Sequence, residues 1–324
     1  MLRTLILTRN FSTRCCQVLC QQAKPKEQKP KDKNVFYHEE FKINYKRLYS
    51  NDKTLSQLML LVKSKKKLNK EQQIIVEGSQ LIKEAVQSHF KLNHLLFTQI
   101  DKVADLVNVM GQSSSGVNFV KVPQQDLTYW SVLTTCPGLI GIFDKPNNVR
   151  DKSDALPITV ICDNIREPNN VGAVIRLANS LPATRVLLPK GCADQWETKA
   201  IRGSSGSVFF IPTEDGISWQ EIDDTVETGE DSVVLIADND ATKYNQSVIT
   251  SYDQIPIKII KNKQIYLIVG GETHGIGDEA KNFAFKRKCN VVNIPLDYTV
   301  NSLNTSNALA IILFELRRKL SGLQ

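Results

Sequence analysis

Three short segments place glycines or small polar residues where a predicted strand gives way to a helix. They are residues 169–176 (NNVGAVIR), residues 270–272 (GGE) and residues 302–304 (SLN). Glycine exposes main-chain N–H and C=O groups, which can hold an adenine or a methionine moiety without a charged side chain. The three segments therefore predict a site that binds a neutral ligand mainly through main-chain groups.

The first segment opens a predicted helix. An asparagine there can cap the helix, and Gly172 lets another backbone or a ligand come close. Arg176 follows Gly172 by four residues, which puts it on the same helix face, at the carboxyl edge of the sheet where α/β proteins bind ligands. An ordinary capped helix with a surface arginine is the alternative interpretation.

The second and third segments carry polar groups that need partners. Glu272 comes directly after a buried strand, where an acid without a partner would be costly, so we expect it to have one. A tight turn alone would explain the two glycines before it. Asn301, Ser302 and Asn304 precede an apolar helix, and helix capping can account for one of them but not for all three.

In this order the segments resemble motifs 1, 2 and 3 of the SpoU/TrmH-type (SPOUT-class) RNA 2′-O-methyltransferases. Residues 170–176 match the family pattern Asn-x-Gly-x-x-x-Arg, and the resemblance covers roughly residues 55–320. It implies methyl transfer to a ribose 2′-oxygen with S-adenosylmethionine as the cofactor. It also implies a trefoil knot at the carboxyl edge of the sheet, a rare exception to unknotted topology, and a homodimer in which both protomers shape each RNA site.

The resemblance implies roles for particular residues. Arg176 would orient the ribose hydroxyl and stabilise developing charge, because a guanidinium is a poor base. The residues implied in catalysis are Arg176, Asn170, Glu272, Ser302 and Asn304, and those implied in cofactor binding are Val269, Gly270, Gly271, Ile294 and Leu303.

Basic residues outside the three segments are candidates for contact with the RNA backbone. Lys65, Lys66 and Lys67 form a run that is either a solvated helix end or a phosphate contact. Arg202 lies at a basic helix end that runs into Ser and Gly, a pattern that the family shares. The net charge of +7 is a poor guide, because residues 1–33 hold eight bases and two acids and leave 33 bases against 32 acids elsewhere.

Alternating strand and helix patterns around these segments predict an α/β protein. A small α/β domain is predicted at residues 53–145, and the resemblance implies that it binds the RNA substrate. The resemblance assigns residues 155–324 to a SPOUT domain, whose buried strands predict a mostly parallel sheet. No Gly-x-Gly-x-x-Gly follows the first strand of that domain, which disfavours a dinucleotide-binding oxidoreductase. Within residues 155–324 the predicted strands are 158–163, 185–189, 207–211, 232–237, 264–269 and 290–294. The predicted helices are 170–180, 193–202, 278–285 and 303–320. Residues 213–231 and 239–262 are predicted loops or insertions.

Residues 1–34 are predicted to be a mitochondrial presequence and linker. Residues 1–23 contain three arginines, several hydroxyl residues and no acid, as presequences do, and the following stretch is rich in proline and charge. A disordered tail is the alternative. No stretch approaches the about 20 apolar residues that a membrane span needs. We therefore expect a matrix protein, and the resemblance to mitochondrial family members implies a guanosine in the A-loop of the large-subunit rRNA as the target.

The spacing of cysteines and histidines argues against a metal site and against a disulfide framework. Cys136, Cys162, Cys192 and Cys289 are widely separated, and His274 is interpreted as a loop residue. Two other functions stay open: a tRNA 2′-O-methyltransferase, and a non-catalytic rRNA-binding factor in ribosome assembly. The intact motif residues argue against the second of these.

Overall fold

The computed structural model describes residues 34–146, 155–226, 231–240, 243–244, 248–272 and 275–322. The predicted presequence, His274 and most of the predicted boundary between the two domains lie outside these residues. All further statements about structure refer to the described part of the chain.

The N-terminal half forms a mixed six-stranded sheet in the order β1-β2-β5-β4-β6-β3. β2, β5 and β4 are parallel neighbours, whereas β1, β6 and β3 pair antiparallel with theirs. The strands are β1 Val35–His38, β2 Ile43–Arg47, β3 Gln73–Glu77, β4 Leu92–Phe97, β5 Asn118–Lys121 and β6 Leu139–Asp144. The helices are α1 Lys53–Val62, α2 Lys65–Lys70, α3 Ser79–Gln87, α4 Asp101–Met110 and α5 Gln124–Trp130.

The C-terminal half forms a seven-stranded sheet in the order β11-β13-β10-β12-β7-β8-β9, in which all neighbours are parallel. The predicted α/β class with a mostly parallel sheet is thereby confirmed. The strands are β7 Leu156–Asp163, β8 Ala183–Pro189, β9 Thr213–Ile217, β10 Ser232–Ala237, β11 Val248–Ser251, β12 Gln264–Gly270 and β13 Asn290–Asn293. The helices are α6 Pro168–Ser180, α7 Thr198–Gly203, α8 Trp219–Thr225, α9 Ile257–Ile260, α10 Asp278–Lys286 and α11 Thr305–Ser321.

Several predicted elements of the C-terminal half are wrong. Residues 207–211 form no strand, because Ser207–Phe209 is a 3₁₀ turn that follows a left-handed Gly206. Its apolar residues are buried, so hydrophobicity alone could not distinguish a turn from a strand. The helix predicted at 193–202 is confined to α7. The two predicted insertions contain β9, α8, β11 and α9.

One apolar core runs through both sheets. Buried side chains of the first sheet, such as Leu95 and Phe143, belong to the same packed cluster as Leu267 of the second. Phe90, just before β4, packs its ring 5.9 Å from that of Trp196 and 5.0 Å from that of Phe209. These aromatic pairs fix the first sheet on the second.

Candidate active site

The three glycine- and asparagine-bearing segments meet at the carboxyl edge of the second sheet. β12 lies beside β7, with Gly270 opposite Asp163, and both strands end there. Thr305, the first residue of α11, donates its hydroxyl to the Gly270 carbonyl at 2.8 Å. Neighbouring parallel strands present their carboxyl ends at one edge, so residues far apart in the chain come together.

Asn170, Glu272 and Asn304 form one hydrogen-bonded cluster. Oε1 of Glu272 accepts a hydrogen bond from Nδ2 of Asn170 at 2.9 Å and a second from Nδ2 of Asn304. Nδ2 of Asn304 also donates to Oδ1 of Asn170 at 3.3 Å. Each of the three segments therefore contributes one side chain to the cluster. Glu272 has the partners that its position required, and they are the two asparagines rather than Arg176.

The local structure explains why these side chains reach one another. α6 begins at Pro168 after Glu167, and no side chain caps it, so the prediction that an asparagine caps this helix is wrong. The amide of Asn170 is instead available to Glu272. Asn304 does cap α11, since its Oδ1 accepts from the Ser306 N–H at 2.9 Å while its Nδ2 faces the cluster.

Gly172 packs α6 against α7. A Cβ at this position would lie 2.3 Å from the Ala200 carbonyl oxygen and 2.7 Å from the Ser204 nitrogen. The close approach expected at Gly172 is therefore made by another backbone. It fixes the start of α6, and with it Asn170, against the second helix.

A cavity of about 350 Å³ lies beside the cluster. Its apolar wall includes Ile276, Ala308 and Ile312, and Asp238 and Asp240 add carboxylates. Among its lining residues are all five predicted cofactor-binding residues, Val269, Gly270, Gly271, Ile294 and Leu303, together with Glu272 and Ser302.

Main-chain atoms form one wall of this cavity because two glycines allow tight folding. A Cβ on Gly270 would lie 2.6 Å from the Gly275 carbonyl carbon, and a Cβ on Gly271 would lie 2.3 Å from the Asn164 carbonyl oxygen. The loop closes through a hydrogen bond of 2.9 Å from the Gly275 N–H to the Gly271 carbonyl. Main-chain groups beside apolar side chains suit a heteroaromatic ring, and the carboxylates suit a positive charge. The cavity therefore fits a charged ligand rather than the neutral ligand predicted.

Comparison with known proteins agrees with this arrangement. Residues 157–314 match the SpoU rRNA Methylase family. The human protein named rRNA methyltransferase 3, mitochondrial, is 30% identical over 327 residues, which cover 88% of this chain and 76% of that protein. The chain belongs to the SpoU rRNA methylase family. Residues 269–275 and the N-terminal composition predict a resemblance to mitochondrial rRNA methyltransferase 3 in particular. The human relative confirms the resemblance for the chain as a whole.

Two further relatives extend the comparison. A 23S rRNA (uridine(2479)-2'-O)-methyltransferase of Streptomyces viridochromogenes is 23% identical over 284 residues, covering 86% of this chain and 94% of that protein. The AdoMet-bound rRNA methyltransferase of Sinorhizobium meliloti has the same fold, with a TM-score of 0.68 at 21% identity over 85% of this chain and 98% of that one.

Arg176 of the SpoU motif lies apart from the cluster. Its side chain is exposed on α6, does not line the cavity, and has no hydrogen-bond or ionic partner within the described residues. It follows Asn170 by six residues, or about 9 Å along a helix axis. Because its guanidinium has no partner within the described residues, it is available to an incoming anionic substrate.

Asp238, Asn239 and Tyr244 were not predicted as site residues. The Asn239 side chain accepts from the Ile294 N–H at 3.0 Å and so holds the predicted cofactor-binding segment. The Tyr244 hydroxyl donates to Asp238 at 2.8 Å, and burial together with this carboxylate raises the pKa of Tyr244. The sequence could have identified the first two, because acidic and amide residues directly after a buried strand such as β10 lie at the edge of the sheet where ligands bind.

Asp163 holds the loop that follows Glu272. It is 2% exposed, and its Oδ2 accepts from the Gly277 N–H at 2.6 Å. Burial raises the pKa of the Asp163 carboxyl, although this hydrogen bond opposes the rise. An acid at the end of the buried strand β7 was the signal that could have identified it.

The predicted RNA contacts differ in their surroundings. Lys65 is ion-paired with Glu197 at 2.7 Å and with Asp194 at 3.5 Å, so its charge is largely compensated within the protein. Lys66 and Lys67 are exposed on α2, and Arg202 is exposed in the last turn of α7. Of the predicted run, Lys66 and Lys67 are better placed than Lys65 to meet a phosphate.

The described residues contain neither a candidate metal cluster nor a helix able to span a membrane. No group of three or more His, Cys, Asp or Glu side chains there is placed to hold a metal ion. In the same part of the chain, no helix has the length and apolar character needed to cross a membrane.

Proposed function

We propose that the chain methylates the 2′-oxygen of a ribose in mitochondrial large-subunit rRNA, with S-adenosylmethionine as the methyl donor. The observation that carries this proposal is the cluster of Asn170, Glu272 and Asn304 beside a cavity with a main-chain wall. The relatives support it, since one is named for mitochondrial rRNA methylation and another for 2′-O-methylation of 23S rRNA.

The cavity would hold S-adenosylmethionine through residues of motifs 2 and 3. Main-chain groups of Val269, Gly270 and Gly271 would meet the adenine, while Ile294 and Leu303 would pack on its apolar parts. When bound, the cofactor supplies a methyl group on a positively charged sulfonium. Carboxylates in the cavity wall, such as Asp238, suit such a cation, and Lys243 balances only part of their charge.

The polar residues beside the cavity position the reacting hydroxyl. A ribose hydroxyl is a weak nucleophile at neutral pH, so it must be aligned with the methyl group and its developing charge must be stabilised. The exposed guanidinium of Arg176 can bind the adjacent phosphate in two-point fashion. Asn170, held by Glu272, and Asn304 offer amide groups, and Ser302 lines the cavity where the hydroxyl would enter.

We further propose that the C-terminal domain contains a trefoil knot, that the protein forms a homodimer and that it is located in the mitochondrial matrix. The predicted presequence and the mitochondrial relatives support the location. The resemblance to the SpoU family supports the knot and the homodimer. The assignment of residues 53–145 to RNA binding and of residues 155–324 to methyl transfer likewise belongs to this proposal.

Mapping of 2′-O-methylation across mitochondrial rRNA and tRNA, in cells depleted of the protein, tests the substrate. We expect loss at a single guanosine of the A-loop in large-subunit rRNA, restored by the wild-type chain, because sequence-specific RNA recognition targets such unstacked loops. Loss at a tRNA position would move the substrate to tRNA. An unchanged map with defective ribosome assembly would identify a binding factor without catalysis.

Replacement of Glu272 tests whether the cluster positions the substrate. Glu272→Ala leaves two amides unheld, and we expect the rate of methyl transfer to fall at least about tenfold, as for other lost positioning contacts. Glu272→Gln retains an acceptor oxygen and should recover part of that rate. Because Glu272 is exposed, neither change should shift the thermal unfolding midpoint measurably. Equal rates in the two variants would contradict the positioning role.

A further inference from the structure

A second cavity lies at the carboxyl ends of the three parallel strands of the first sheet. Its volume is about 360 Å³, in the range of small-ligand sites. β2, β5 and β4 end side by side here, which is the edge where open α/β sheets bind ligands. The lining residues with polar or charged side chains are Arg47, Tyr49, Thr98, Gln99, Lys121 and Gln124.

This second cavity is positively charged. Arg47 and Lys121 line it, no acidic residue does, and neither cation has a carboxylate partner in the described part of the chain. Other lysines of the N-terminal half are compensated, as Lys83 of α3 is by Asp105 and Lys91 before β4 is by Asp144, each at 2.9 Å. Two cations without such partners around one concavity favour an anionic ligand.

An aromatic platform stands beside the two cations. Tyr49 is 47% exposed, and the guanidinium of Arg47 lies 5.2 Å from the centre of its ring. A tyrosine face backed by an arginine can stack on any nucleobase. The exposed amides of Gln99 and Gln124 can donate to and accept from the edge of such a base.

We propose that the second cavity binds one unstacked nucleotide of single-stranded substrate RNA, with its phosphate on Arg47 and Lys121 and its base on Tyr49. This inference rests on the proposed function, because it identifies where the first sheet holds the RNA that the C-terminal sheet methylates. A nucleotide brings together the anion, the aromatic face and the hydrogen-bonding edge that the lining residues offer.

A neighbouring pair favours a nucleotide within a polymer over a free one. Tyr129 of α5 is 69% exposed, and Nζ of Lys63 lies 3.2 Å from the centre of its ring. α5 is joined to the loop after Tyr49 by a hydrogen bond of 2.8 Å from Ser50 to Asp126. Two aromatic–cation pairs therefore occur on elements that this hydrogen bond joins, and successive bases of a strand can stack on such pairs.

Fluorescence anisotropy with a labelled single-stranded RNA oligonucleotide of mixed sequence tests the proposal on the full chain. The double variant Arg47→Gln/Lys121→Gln and the single variant Tyr49→Leu should each weaken binding at least about fivefold, as expected for a lost stacking or phosphate contact. Lys42→Gln removes an exposed charge at the opposite end of β2 and should change binding less than about twofold. Equal losses in all three variants, or no loss in the first two, would overturn the proposal.

Two further measurements make the result specific. Photo-crosslinking of thiouridine-containing RNA should yield adducts on peptides that contain Tyr49, Gln99 or Gln124, and adducts confined to the C-terminal sheet would overturn the site. Guanosine monophosphate that saturates the cavity while RNA binding is unaffected would identify a free-nucleotide site instead and overturn the assignment to RNA.

Methyl transfer to RNA separates this inference from the proposed function. If the wild-type chain transfers no methyl group to any RNA, the proposed function fails. If it does transfer methyl groups, but the variants of the second cavity bind and crosslink RNA as the wild type does, only the present inference fails. If both hold, saturating RNA should restore the rate of the Tyr49→Leu variant, because its defect is in binding.

Discussion

Replacement of Arg176 by alanine should reduce methyl transfer at least about 10²–10³-fold, the effect of removing one group that stabilises transition-state charge. S-adenosylmethionine should still bind, because Arg176 does not line the main-chain-walled cavity. The fold should also persist, since the side chain is exposed and has no partner within the described residues. Single-turnover transfer from labelled cofactor measures the rate, and isothermal titration calorimetry measures cofactor binding.

Arg176→Lys is the matched variant. It keeps the positive charge but loses the planar fork that contacts a phosphate at two points. We expect its rate to lie between those of the wild type and Arg176→Ala. Near-normal turnover in Arg176→Ala would remove this residue from the mechanism and leave Asn170, Glu272 and Asn304 as the groups that align the hydroxyl.

The elements that sequence patterns predicted well have strong local signals. α10 was predicted at 278–285 and is observed at Asp278–Lys286, and β10 was predicted at its observed bounds, Ser232–Ala237. α10 buries Ala280, Phe283 and Ala284 at helical spacing, whereas β10 is a short buried apolar run. In such segments the local pattern and the tertiary environment favour the same structure.

Elements at the edge of a sheet lack that agreement. β9 reads Thr-Glu-Asp-Gly-Ile, is mostly exposed and pairs only with β8, so its sequence resembles a polar loop. Its strand conformation is set by the neighbouring strand rather than by its own residues. The same reasoning applies to β1 and β2, short strands with few buried residues that were not predicted.

The proximity of the motif residues was easier to predict than the hydrogen bonds between their side chains. The resemblance placed Asn170, Glu272 and Asn304 in one site, but not the sharing of a single carboxylate by two amides. Asn170 and Glu272 are 102 residues apart in the chain, and their contact depends on β7 pairing with β12. Lys65 was predicted to contact RNA, but the tertiary structure shows that Asp194 and Glu197 compensate its charge. These partners are distant in the chain, so the sequence could not show this.

A large loss of stability is expected from Gly271→Ala. Gly271 directly follows β12 in motif 2, and its N–H donates to the Asp163 carbonyl at 2.9 Å. An added Cβ would lie 2.3 Å from the Asn164 carbonyl oxygen, a backbone atom that cannot turn aside as a side chain can. The loop must shift, so the unfolding free energy should fall by about 1–3 kcal/mol, the usual cost of overpacking.

The same displacement should weaken cofactor binding more than it weakens the fold. Gly271 lines the main-chain-walled cavity and directly precedes Glu272, so moving its backbone disturbs both the cavity wall and the Asn170–Glu272–Asn304 cluster. We expect the dissociation constant for S-adenosylmethionine, measured by calorimetry well below the unfolding midpoint, to rise at least about tenfold, because preorganised contacts are lost. Gly322→Ala is the control, since its Cβ would come no nearer than 3.5 Å to any atom and lies outside the cavity lining. Unchanged cofactor affinity in Gly271→Ala would show that the main-chain wall is not where the cofactor binds.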